Sequence, residues 1–180
     1  MTFDELYTLY YEKSVLLVMH YMHDRMISED IASDVIIKLW SVIQKEKVKS
    51  ISALLFSMLR NKALNELKHQ KVVLEKCTKN NDILRAELDY RISLFSDLPD
   101  YVKLNEIYRL AKSALGKLPK DTQKIFHLSR VKMLKNREIA SILNISVKTV
   151  EYHISKALRI LRIELKDYYV IALILIYLNQ

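Results

Sequence analysis

A chain of 180 residues has room for one domain or two small ones, and 51% hydrophobic content is enough for real cores. One Gly and two Pro are too few for a fold built on hairpin turns of positive φ, which excludes a β-rich architecture and leaves an all-α one. The net charge of +8 is unevenly placed: nine Lys/Arg face nine Asp/Glu over residues 1–70 and six face six over 71–103, but fourteen face five over 104–166, so one block carries the electrostatic footprint of a nucleic-acid-binding module.

Phe3, Leu6, Tyr7, Tyr10 and Tyr11 recur at spacings of three and four and mark one face of a first helix. A second helix is expected to begin at Ser28, with Glu29 and Asp30 in its first turn. Its apolar stripe is Ile31, Val35, Ile36, Leu39 and Trp40, with Asp30, Ser33, Asp34 and Lys38 turned the other way. Lys45 to Ser50 is polar and reads as a loop. Residues 51–67 then give a third stripe of Leu54, Leu55, Met58, Leu59, Ala63 and Leu67, opposite Arg60, Asn61, Asn65, Lys68 and His69. From Lys71 to Lys103 the periodicity weakens and Pro99 interrupts the chain, so this stretch is expected to be an interdomain linker, part helical and part loose.

A second domain is expected from Leu104. Leu104, Ile107, Leu110, Ala111, Ala114 and Leu118 form one amphipathic helix closed near Gly116 and Pro119. Asp121 to Val131 forms the next, with Ile125, Phe126 and Leu128 inward. Residues 136–153 carry helix-turn-helix punctuation. Asn136 can cap a short helix, and Ile139, Ala140 and Leu143 face in. Ala140 is small enough for a tight helix crossing, and Asn144 suits a left-handed turn residue. Ile145 plugs the core and Ser146 caps a second helix whose inward positions are Val150, Ile154, Ala157 and Leu161. Val147, Lys148, Thr149, Tyr152, His153, Lys156 and Arg159 are left outward. The first turns of such a helix reach base edges in a major groove, so Lys148, Thr149 and Tyr152 suit bases, while Lys156, Arg159 and Arg137 suit phosphates. An ordinary helical hairpin with a solvated basic face is the plain alternative.

With these residues in view, 104–162 resembles region 4 of sigma factors, which recognises the −35 promoter element, on KLPKDTQKIFHLSRVKMLKNREIASILNISVKTVEYHISKALRILR. SEDIASDVIIKLW at 28–40 is similar to sigma region 2.2, and ISALLFSMLRNKALNELKH at 51–69 to regions 2.3–2.4 of the extracytoplasmic-function group. The resemblance implies two small helical domains: region 2 over 1–70, a linker over 71–103, and region 4 over 104–166, with an apolar tail at 167–180. It further implies a subunit that binds core RNA polymerase and directs promoter recognition and transcription initiation. Asp30, Ser33, Asp34, Ile37 and Lys38 would bind polymerase, with Ser33 standing where the family commonly has Gln. Arg60, Asn61, Lys62, Asn65, Lys68 and His69 would hold the unstacked −10 non-template strand, with Asn65 standing where Asp is frequent. Arg137, Val147, Lys148, Thr149, Tyr152, His153, Lys156 and Arg159 would meet the −35 duplex. The loop 45–50 matches the family's specificity loop by place. An anti-sigma factor is the implied controlling partner.

Other signals carry less. His20 and His23 lack a third ligand at metal spacing, so no metal is expected. Met19, Met22 and Met26 read as core filler. The lone Cys77 excludes an intrachain disulfide and fits a cytoplasmic setting. The acidic N-terminus does not read as a secretory signal. No phosphate loop or nucleophile motif is present, so neither an enzyme, a cofactor nor a small-molecule substrate is expected. Tyr168 to Leu178 is apolar but spans too few residues to cross a bilayer; it is expected to continue a helix from Lys166 and pack on either domain or on a partner. A stand-alone helix-turn-helix regulator would leave residues 28–69 without a task. A helical adaptor or anti-sigma-like protein would not need Lys148 or Tyr152.

Overall fold

A computed structural model describes residues 2–77 and 81–178, all of whose regular elements are helices. The chain divides into two compact units, residues 1–101 and 102–180. The first holds α1 (Phe3–Met22), α2 (Arg25–Lys45), α3 (Ile51–Cys77) and α4 (Asp82–Ser96). Thr2 and Glu5 open α1 reciprocally: the Thr2 hydroxyl accepts from Glu5 N at 3.2 Å and the Glu5 carboxylate from Thr2 N at 2.7 Å, satisfying two donors that a helix start leaves without partners.

The second helix starts earlier than Ser28. His23 closes α1 in the left-handed region (φ 56°), and the Asp24 carboxylate immediately accepts from Ile27 N at 3.0 Å. Ser28 is therefore inside α2, buried, with its hydroxyl donating to the Asp24 carbonyl. Leu6, Ile36, Leu39, Leu55, Leu59 and Leu67 are fully buried between α1, α2 and α3. Trp40 packs edge-on against Phe3, ring centroids 6.1 Å apart. Of the three methionines read as core filler only Met22 is buried; Met19 and Met26 are exposed, because they lie off the stripe α1 and α2 share.

The stretch 71–103 is more ordered than the expected linker. α3 continues to Cys77, about ten residues past its expected end, and α4 packs on it. Lys71 binds Asp89 at 2.5 Å, a bond that raises the Lys71 ammonium above its usual pKa. Arg91 donates to the Met22 carbonyl at 3.2 Å and pairs with Glu87, tying α4 to the end of α1. The apolar pattern is weak because α4 is anchored largely by ions, with Leu88 as a buried contact. The Cys77 side chain lies outside the described residues.

The second unit holds α5 (Tyr101–Gly116), α6 (Lys120–Arg130), α7 (Asn136–Leu143), α8 (Val147–Leu165), a 3₁₀ turn (Lys166–Tyr168) and α9 (Tyr169–Leu178). Leu104, Ile107, Ile125, Ile139, Leu161 and Leu175 are fully buried. Leu110, expected inward, is 41% exposed. The tail does not continue α8. At Lys166 the backbone turns through φ 41°, ψ −109°, and α9 folds back onto α8, burying Ala172, Leu175, Ile176 and Leu178. Ile176 shares the wall of a cavity of about 480 Å³ with Tyr108 and Leu115 of α5 and Phe126 and Val131 of α6. Among the described residues no helix is long and apolar enough to cross a membrane.

Candidate nucleic-acid interface

The helix-turn-helix is assembled around Ile125 of α6, Ile139 and Ala140 of α7, and Val150 and Ile154 of α8, with Leu128, Leu134, Leu143, Ile145 and Leu158 packed against them. The small Ala140 side chain sits within this core, as expected of a close crossing. Asn144 stands in the left-handed region (φ 52°, ψ 48°), and Ile145 N donates back to the Ala140 carbonyl at 3.0 Å. Non-glycine residues other than Asn and Asp rarely accept that conformation. The Ser146 hydroxyl accepts from Thr149 N at 3.0 Å and opens α8. The start of α7 differs from expectation. Asn136 is its first helical residue, and the Glu138 carboxylate caps the turn by accepting from Lys135 N at 2.7 Å.

Val150, Ile154, Ala157 and Leu161 are buried as their spacing requires. Val147, Lys148, Tyr152 and Arg159 are exposed on α8, and Arg137 on α7. Tyr152 is 60% exposed, with the Lys156 ammonium 5.9 Å from its ring centroid. That places an apolar plane and a cation side by side. Three residues expected outward, Thr149, His153 and Lys156, are only half-exposed. Thr149 shares a 2.8 Å hydrogen bond with Ser146, so its hydroxyl serves the cap. His153 lies toward α6, its Nδ1 2.8 Å from the Thr122 hydroxyl. Sequence reasoning did not point to Thr122, although it lies three and four residues, one helical turn, before Ile125 and Phe126. A polar residue on an inward face was the available signal.

In the first unit Asp30, Asp34, Ile37 and Lys38 are exposed on one face of α2, and Ile37 is an apolar side chain 57% exposed among charges. Ser33 is half-buried and its hydroxyl donates to the Glu29 carbonyl at 2.8 Å. Beside it, burial with Tyr7 and Glu29 alongside raises the Tyr11 phenol above its usual pKa. On α3, Asn61, Asn65, Lys68 and His69 are exposed. Lys62 binds Asp34 across the two helices at 2.8 Å, so a residue expected to meet DNA and one expected to meet polymerase share an edge. Arg60 is turned the other way, its guanidinium donating to the Ser96 carbonyl at the end of α4 at 3.2 Å. No group of three or more metal-ligating side chains occurs among the described residues.

A comparison with curated proteins finds no match. Two family models do match: Sigma-70 region 2 over residues 6–72 and Sigma-70, region 4 over residues 108–161. The first spans α1 to α3, and the second runs from within α5 to Leu161 of α8, so α4 and α9 lie beyond both. The two matches together cover about two thirds of the chain. With both regions present in order on two helical units, the chain belongs to the sigma-70 family of RNA polymerase sigma factors, in its extracytoplasmic-function group, and acts in promoter recognition and transcription initiation.

Proposed function

We propose a division of labour between the two units. The observation that carries it is the exposed face of α8, where Val147, Lys148, Tyr152 and Arg159 stand clear of the core that fixes their helix. In this reading α8 enters the major groove of the −35 duplex. Lys148, Tyr152 and Val147 lie at base edges, and Arg137, Lys156 and Arg159 neutralise backbone phosphates. Thr149 contributes through the cap, and His153 from the flank of the face.

The first unit meets polymerase through Asp30, Asp34, Ile37 and Lys38 of α2. An exposed apolar residue ringed by charges suits a protein contact better than a solvated helix face. Ser33 lends shape to that face, since its hydroxyl is already bonded. Asn61, Lys62, Asn65, Lys68 and His69 of α3 hold the −10 non-template strand, combining amide donors with cations. Arg60 supports this surface through Ser96. The subunit works in the cytoplasm without catalysis of its own, with polymerase and promoter DNA as its working partners and an anti-sigma protein as its controller.

The variants Lys148→Ala/Tyr152→Ala and Asp34→Ala/Lys38→Ala test the division. The first pair is expected to keep co-elution with core polymerase and lose promoter binding; the second is expected to weaken co-elution itself. Equal loss of both properties in both variants would contradict it.

A further inference from the structure

The Thr122–His153 bond joins α6 to the side of α8. Thr122 is fully buried, and among the described residues the hydrogen-bond partner of its hydroxyl is His153 Nδ1, at 2.8 Å. A helical threonine can otherwise donate to the carbonyl four residues back. Here the Thr122 hydroxyl makes no bond to that carbonyl, of Leu118, which accepts instead from the Gln123 amide at 2.7 Å. A hydroxyl has one proton and an imidazole ring nitrogen is either a donor or an acceptor. If Nδ1 carried the proton, the Thr122 hydroxyl would only accept, and its own buried proton would be left without a partner. If the hydroxyl donates to Nδ1, its buried proton has a partner and the ring proton sits on Nε2, the nitrogen facing away from Thr122.

Position decides what that Nε2–H can reach. With successive residues turning by about 100° around the helix, Lys148, Tyr152 and Arg159 fall within roughly 40° of one another, whereas His153 lies about 100° from Tyr152. His153 is therefore on the shoulder of the outward face, and the shoulders of a helix lying in a major groove run beside the phosphate backbone.

We propose that Thr122 is a positioning residue of the DNA-reading surface: its buried hydroxyl fixes the His153 ring and its tautomer, so that Nε2–H donates to a backbone phosphate beside the site that α8 reads. The inference rests on the proposed reading of α8 as the duplex-binding helix. His153 acts there as a hydrogen-bond donor to the backbone rather than as a reader of bases.

The test uses the full chain assembled with core polymerase and a promoter duplex that this holoenzyme selects from a random library, titrated over a range of salt. Thr122→Val keeps the shape and removes the hydroxyl. It is expected to weaken binding about ten-fold, the effect of one hydrogen bond to a charged group, with the salt slope unchanged because no counterion is involved. Thr122→Ser restores binding. In a His153→Ala background Thr122→Val costs nothing further, since Thr122 acts only through the ring. His153→Asn retains an acceptor at the place of Nδ1 but has no outward donor, so it folds as the parent does and binds as weakly as His153→Ala. This variant decides the matter should Thr122→Val fail to fold. Parental affinity in Thr122→Val or His153→Asn, or additive losses in the double variant, would overturn the proposal. If Lys148→Ala also leaves binding untouched, the reading of α8 itself fails and takes the proposal with it; if Lys148→Ala alone abolishes binding, only the role of Thr122 is lost.

Discussion

Leu175 is the sharpest probe of how the second unit is held together. It lies in α9, beyond the residues matched by the family models, and is fully buried. Its neighbours on α9, Ala172, Ile176 and Leu178, are buried too, so truncation opens a cavity rather than a shallow surface dent. Leu→Ala changes at such sites cost about 2–5 kcal/mol, the removed methyl groups and the residual cavity both contributing. A unit of this size has a total stability of roughly 4–12 kcal/mol, so Leu175→Ala removes a large share. At about 4–8 °C per kcal/mol, a loss near 3 kcal/mol lowers Tm by roughly 10–25 °C. Val170, on the same helix but 64% exposed, is the control, and Val170→Ala is expected to stay within about 0.5 kcal/mol. Thermal unfolding followed by circular dichroism, with hydrogen exchange read on the amides of α8, separates this unit's transition from that of the first. Indistinguishable shifts in the two variants would refute the seating of α9 in the core. The functional consequence follows directly, because α9 supports the helix whose other end carries Lys148 and Tyr152.

Three further outcomes are expected. Asn144→Val places a β-branched residue at φ 52° and should cost on the order of 1–2 kcal/mol, while Asn144→Gly stays near neutral; urea unfolding measures both. Lys62→Gln breaks an exposed pair with Asp34, so it changes stability by less than about 1 kcal/mol, yet it should impair promoter opening as read by permanganate footprinting. Arg159→Ala should weaken binding about equally at specific and non-specific duplexes and reduce the salt slope by about one ion.

Much of the second unit was legible because its local and tertiary requirements coincide. Asn144 and Ser146 are positions where backbone geometry selects the residue type, and Val150, Ile154, Ala157 and Leu161 keep one helical period throughout. What was not legible depended on contacts distant in sequence. The weak pattern over 71–103 concealed α4, because Lys71–Asp89 and Arg91–Met22 are pairings no period reveals. Ser28 looked like a cap, but Asp24 lies closer to the left-handed turn at His23 and took that role. The tail offered apolar residues on every side and so no face to predict from; the reversal at Lys166 settled where it packs. In the candidate sites, outward spacing correctly placed Lys148, Tyr152 and Asn65 at the surface. It did not foresee that Arg60 and His153 would turn toward neighbouring helices, since exposure on one helix says nothing of what lies beside it.

Run-off transcription by bacterial core polymerase on a promoter library, with and without this chain, asks whether the chain selects promoters for the polymerase. The expected transcripts depend on the chain, start downstream of a shared −35/−10 pair, and disappear with Lys148→Ala/Tyr152→Ala. Specific, salt-sensitive duplex binding by the chain alone, with no transcripts when core polymerase is added, would contradict it.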